Sequence, residues 1–170
     1  MNAVEVEDLR FGYGDQLTVD IDQFTLEQGQ SVAVIGPSGC GKTSFLHLLA
    51  GLLRPQSGSV HLLGQDLAEL RGASMDRFRG KNIGLVLQRF HLIKALTVRE
   101  NVLLAGKLSR AKAGGDTVDA LLQRLNIDAV AQHKPSMLSQ GQAQRAAIAR
   151  ALVHKPPIVM ADEPTSALDD

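Results

Sequence analysis

Two stretches far apart in the chain carry the residue types that phosphate chemistry needs. Gly36-Pro37-Ser38-Gly39-Cys40-Gly41-Lys42-Thr43 has the spacing G-x-x-x-x-G-K-T and runs on into Ser44. Gly36, Gly39 and Gly41 let backbone N–H groups turn inward around an anion. A helix starting at Lys42 adds the partial positive charge of its N-terminus. Lys42 sets a full charge against the β- and γ-phosphates of a nucleotide, and the Thr43 hydroxyl is placed to ligate Mg²⁺. The second stretch is Ile158-Val159-Met160-Ala161, followed at once by Asp162 and Glu163. Asp162 at a strand end can hold Mg²⁺, directly or through water, and Glu163 can act as general base on an attacking water. Apart from each other, the two phrases would be a glycine turn and a solvated acidic turn. Together they point to hydrolysis of a nucleoside triphosphate.

Such residues work only if the backbone presents them. Ser31 to Ile35 is a β-branched apolar run, which predicts a buried strand of a parallel sheet entering the glycine loop. Ser44 to Ala50 predicts the helix that leaves it, with Gly51 as its stop. Ile158 to Ala161 predicts a second buried strand that Pro164 ends. Ile83 to Leu87 predicts a third, ending in Gln88. Leu138-Ser139-Gln140-Gly141-Gln142 contains the capping box Ser139-x-x-Gln142, which opens a helix and leaves a second anion-attracting N-terminus.

These phrases, in this order, resemble the ATP-binding cassette (ABC) transporter ATPases over essentially the whole chain. Leu138 to Gln142 resembles the family's signature and Gln142 to Leu152 the helix behind it. Asp162-Glu163-Pro164-Thr165-Ser166-Ala167-Leu168-Asp169 resembles the acidic strand and its adjoining D-loop. The resemblance implies an α/β P-loop NTPase core with a mainly parallel sheet, an antiparallel N-terminal β part and an inserted helical lobe. It places the core at about 1–88 and 151–170 and the lobe at about 89–150. ATP and Mg²⁺ are the implied cofactors. Residues 36–44 would bind the phosphates, and Tyr13, in Phe11-Gly12-Tyr13-Gly14, would stack on adenine, with a plain surface-turn tyrosine as the alternative. Thr43, Gln88 and Asp162 would hold the metal, with Glu163, Gln88 and Lys42 acting in catalysis. Ser139, Gly141 and Gln142 would reach the γ-phosphate held by a second ATPase subunit. Position 140 departs from the family's usual Gly, being Gln140, while its neighbours keep the pattern.

Elsewhere, Val4, Val6, Val19, Ile21, Val60 and Leu62 alternate as half-buried antiparallel strands do. Thr97-Val98-Arg99-Glu100 is a further capping box, opening a helix through Leu103, Leu104 and Leu108. Ala113 to Asp116 predicts a turn and new helix start, with Leu121, Leu122 and Leu125 on its apolar face. The chain has 170 residues, with 18 Lys and Arg against 18 Asp and Glu. That neutral balance, with no basic run, argues against nucleic acid as partner. No run is long enough to span a bilayer, so a cytoplasmic location is expected, peripheral to a membrane through an integral permease. One cysteine and five scattered histidines offer no zinc site. No sustained heptads separate the glycine loop from the signature, unlike DNA-repair and chromosome-structure ATPases.

Phe90-His91-Leu92-Ile93 and Leu96 to Val102 resemble the lipoprotein-release, macrolide-export and cell-division branch; amino-acid importers share much of this phrasing. The family's switch histidine follows the acidic strand, and His154 precedes it. A fragment of a longer subunit is therefore expected. A naturally short chain would instead be an impaired, regulatory nucleotide binder.

Overall fold

The computed structural model describes residues 1–14, 16–110 and 114–163. The chain divides into two compact units, Met1–Arg79 and the part from Gly80 onward. The first unit is built on two long strands, β1 (Asn2–Tyr13) and β2 (Gln16–Glu27), paired antiparallel with Val6 opposite Phe24. β3 (Ser57–Leu62) lies on the other side of β1, Val60 opposite Val6 and Leu62 opposite Val4, and the short β4 (Gln65–Asp66) completes the order β2-β1-β3-β4. Val4, Val6, Val60 and Leu62 are buried, as their alternation requires, and Leu9 is buried in the opposite phase, past the irregularity at Asp8 (φ 48°). Each such side chain contributes roughly 1.5–3 kcal/mol when fully removed from water.

α1 (Lys42–Leu49) packs Phe45 and Leu48 into this unit, and Phe45 meets Phe24 edge to face with ring centroids 5.6 Å apart, within the spacing aromatic pairs prefer. It ends at Ala50, with Gly51 in the left-handed region at φ 64°. The predicted strand at 31–35 differs. It joins no ladder among the described residues, and Val32, Val34 and Ile35 are 53%, 51% and 90% exposed. Composition sets a segment's preference for burial, whereas a ladder also needs neighbouring strands on its edges, which a local run does not encode.

α2 (Ala73–Asn82) carries the chain from the first unit into the second. There β5 (Ile83–Val86) pairs in parallel with β6 (Ile158–Ala161), Ile83 opposite Ile158 and Val86 opposite Ala161. Among the described residues the unit also holds the α-helices α3 (Val98–Leu108), α4 (Gly115–Arg124) and α5 (Gln140–Leu152). Their shared core is Val98, Val102, Val118, Leu122, Ile127, Ala146, Ala149 and Val153, with Leu103, Leu121 and Leu125 packed against it. Arg99 on α3 and Asp119 on α4 form a two-pronged ion pair, 2.7 and 2.9 Å, which holds the Asp119 carboxyl below its usual range. Gly84 lets α5 approach β5: a Cβ there would lie 2.6 Å from the Ala151 carbonyl oxygen and 2.7 Å from Pro156.

Candidate functional site

In the first unit the glycine loop leads into α1 as expected. Cys40 N–H donates to the Pro37 carbonyl at 3.4 Å, closing a turn over Ser38 and Gly39. Gly39 and Gly41 have φ of 80° and 91°. Gly41 is the N-cap of α1, and no side chain caps that helix. An added Cβ at Gly41 would collide with the Thr18 carbonyl oxygen, so both conformation and space reserve this position for glycine. Lys42 curls over the loop, its ammonium donating to the carbonyls of Gly36 (2.8 Å) and Pro37 (2.7 Å) and lying 3.8 Å from the Cys40 sulfur. The Lys42 ammonium therefore rests against the carbonyls of its own loop. Thr43 sits in the first turn of α1. Ser44, next along, is buried, and its hydroxyl lies 3.4 Å from that of Tyr13. The Tyr13 and Phe11 rings meet T-shaped at 5.0 Å, and Tyr13 is 58% exposed.

In the second unit β5 and β6 end side by side, and the parallel register brings their following residues together. The Asp162 N–H extends the ladder by donating to the Val86 carbonyl at 2.9 Å. Glu163 then adopts φ 49°, a left-handed conformation uncommon for a residue with a side chain. Its carboxylate accepts a 3.0 Å hydrogen bond from the Gln88 amide. Two residues 75 positions apart in sequence thus meet at the carboxyl end of a parallel pair, where α/β proteins place reactive groups. Pro164 and the D-loop stretch lie outside the described residues.

The signature forms the predicted capping box. The Ser139 hydroxyl accepts from Gln142 N–H at 3.2 Å, and the Gln142 side chain accepts from Ser139 N–H at 2.9 Å. Gly141 lies in the first turn of α5. Thr97 and Glu100 cap α3 in the same way. The Thr97 backbone N–H, which donates to the Glu100 carboxylate, and after it the Thr97 hydroxyl hold that carboxyl below its ordinary range. The oxygen donors proposed for the metal, Thr43 in the first unit and Gln88 and Asp162 in the second, are hard ligands of the kind Mg²⁺ takes alongside phosphate oxygens.

Residues 19–166 match the ABC transporter family. The chain belongs to that family. An uncharacterised ABC transporter ATP-binding protein of Mycobacterium tuberculosis is 40% identical across 99% of this chain, which spans 53% of that relative. The chain thus covers about half the length of such curated relatives. The lipoprotein-releasing system ATP-binding protein LolD of Idiomarina loihiensis is 43% identical, with 92% of this chain and 70% of LolD covered. LolD of Syntrophotalea carbinolica is 46% identical, with 85% and 64% covered. Among solved structures, the dimeric post-hydrolysis state of the ATP-binding cassette MJ0796 bound to ADP and Pi superposes with a TM-score of 0.90. It is 33% identical, with 98% of this chain and 76% of that one covered. The P-loop NTPase fold class expected for an ABC cassette, with its antiparallel N-terminal sheet and helices, is the one this chain adopts.

Two residues of this ABC cassette that support the site escaped the sequence reading. Asn101 is buried on α3, between Val98 and Val102. Its amide donates to the carbonyls of Ile93, Leu96 and Thr97, and its oxygen accepts from Ile93 N–H at 2.7 Å. A polar residue on an otherwise apolar helix stripe was the available signal. Arg150, near the end of α5, donates to the carbonyls of Phe90 and His91 at 2.8 and 2.6 Å. Burial draws its guanidinium below its ordinary basicity. No local pattern marks that contact.

Proposed function

We propose that this chain is the ATP-hydrolysing portion of an ABC transporter's ATP-binding subunit. The observation that carries the reading is the Gln88–Glu163 hydrogen bond of 3.0 Å at the ends of β5 and β6, taken with the glycine loop that opens α1. Backbone N–H groups from Gly36 to Thr43 and Ser44, with Pro37, Ser38 and Cys40 shaping the turn, cradle the phosphates, and Lys42 swings from its own loop carbonyls to them. Thr43, Gln88 and Asp162 would hold Mg²⁺. The cation draws charge from the phosphate oxygens when bound. Glu163 orients the attacking water and accepts its proton, and Gln88 fixes the carboxylate's direction. Tyr13 stacks on the base.

Two copies complete the site. Ser139, Gly141 and Gln142 at the start of α5 in one copy face the γ-phosphate bound by the other, so that ATP lies between them. Residues of about 89–150 form the lobe that docks on an integral permease, and about 1–88 and 151–170 form the nucleotide-binding core. No helix among the described residues is long and apolar enough to cross a membrane, which suits a subunit held at the cytoplasmic face by its permease. The two LolD relatives support the lipoprotein-release branch.

The test is Glu163→Gln in the full-length subunit. Phosphate release should fall by about 10²- to 10⁴-fold while ATP binding persists. Equal release by variant and wild type would remove Glu163 from its role and this reading with it.

A further inference from the structure

Between the end of β5 and the start of α3, residues 87–97 form no helix or strand. Their backbone is nevertheless held from two helices. Asn101 on α3 grips both the N–H and the carbonyl of Ile93, as a neighbouring strand would. Arg150 on α5 grips Phe90 and His91 through two separate guanidinium nitrogens. Three features set the second grip apart. It acts two and three residues beyond Gln88, the amide on Glu163. It holds His91 in a left-handed conformation, φ 47°, that its side chain disfavours. Among the described residues, moreover, the guanidinium meets carbonyl dipoles and no carboxylate, so the contact constrains the backbone of this segment and no side chain of it.

The same helix begins at the Ser139 cap. Eleven helical steps separate Ser139 from Arg150, a rigid rod of ~16 Å at 1.5 Å per residue. We propose that Arg150 is a positioning residue that ties the Gln88 segment to α5, so that the segment's placement, and with it the Gln88–Glu163 contact, follows the position of the signature helix. The inference rests on the ATPase reading above. In that reading the start of α5 meets ATP on the partner copy. Arg150 then makes the far end of α5 set the amide beside the catalytic carboxylate. Side chains at 90 and 91 matter little to this link, because both contacts use main-chain oxygens.

A double-mutant cycle in the full-length subunit tests it, with ATP turnover, ATP affinity and amide hydrogen exchange as readouts. Arg150→Met should lower kcat about tenfold and leave the dissociation constant for ATP within about twofold, the pattern of a lost transition-state arrangement. In a Gln88→Ala background the same change should have no further effect. Hydrogen exchange should rise across 87–97 and stay unchanged in the cores of α3 and α5. Arg150→Lys, which keeps the charge but loses the two-pronged fork, takes the place of Arg150→Met if that variant does not fold. A kcat loss of equal size in both backgrounds overturns the proposal, as does a silent Gln88→Ala or exchange that rises evenly through the helices. Should Glu163→Gln hydrolyse as fast as wild type, the ATPase reading fails, and exchange across 87–97 alone decides whether the tie exists.

Discussion

The starts of α1 and α5 are both candidate phosphate sites, yet they are built in opposite ways. α1 begins at a glycine in the left-handed region and no side chain caps it. α5 begins at Ser139, whose hydroxyl and whose partner Gln142 satisfy each other's N–H groups. The first end opens on a glycine and has no side-chain cap, its loop carbonyls held instead by the Lys42 ammonium. The second is closed on itself, and an anion there must share Ser139 with the helix. α3 carries the same closed cap at Thr97 and Glu100, in a segment with no proposed phosphate role. Capping chemistry alone therefore does not mark an anion site; in the proposed reading the glycine-shaped start is one, and the capped start takes that role only from the copy that approaches it.

This contrast can be broken experimentally. Lys42→Ala should weaken ATP binding most, by roughly 10- to 100-fold for a lost charge-assisted contact, measured by titration of the full-length subunit. Gly41→Ala should lower stability by at least about 2 kcal/mol, since the left-handed φ and the Thr18 carbonyl both oppose a Cβ. Chemical denaturation reads that loss, and an unchanged midpoint would mean that the loop start is not backbone-determined. Ser139→Ala and Thr97→Ala should each cost about 1 kcal/mol as lost caps, but only Ser139→Ala should also slow turnover. If both slow it equally, the distinction between the two caps disappears.

The smallest expected effect concerns Glu100. Its carboxyl is held below its ordinary range in the folded state by Thr97. A depressed folded-state value means the stabilising contribution is fully present above the unfolded glutamate value. It is lost as pH falls through the folded one. The gap in stability between wild type and Glu100→Gln should therefore narrow on acidification below the normal glutamate range, and a gap independent of pH would contradict the capping-box account.

Much of this was legible locally. Capping boxes are short patterns with a defined geometry, so Ser139-x-x-Gln142 and Thr97-x-x-Glu100 appear where the residues predict them. β5 and β6 were readable from their apolar runs, and the parallel register then explains why Gln88 and Glu163 meet. Val118 was missed on α4 because Leu121, Leu122 and Leu125 alone suggested its apolar face. Ser31 to Ile35 shows the limit from the other side: its composition suits a central strand, but pairing is a property of neighbours. Arg150 is the clearest case of what sequence conceals, because its partners are main-chain oxygens 59 and 60 residues away, and a carbonyl carries no residue type to recognise.

The most direct test of the account is the mass of full-length Glu163→Gln by sedimentation, with and without ATP. If the loop of one copy and the signature of another share each nucleotide, the variant should double in mass with ATP, and the added change Ser139→Ala should weaken that doubling. A single-subunit mass under both conditions would contradict the shared site.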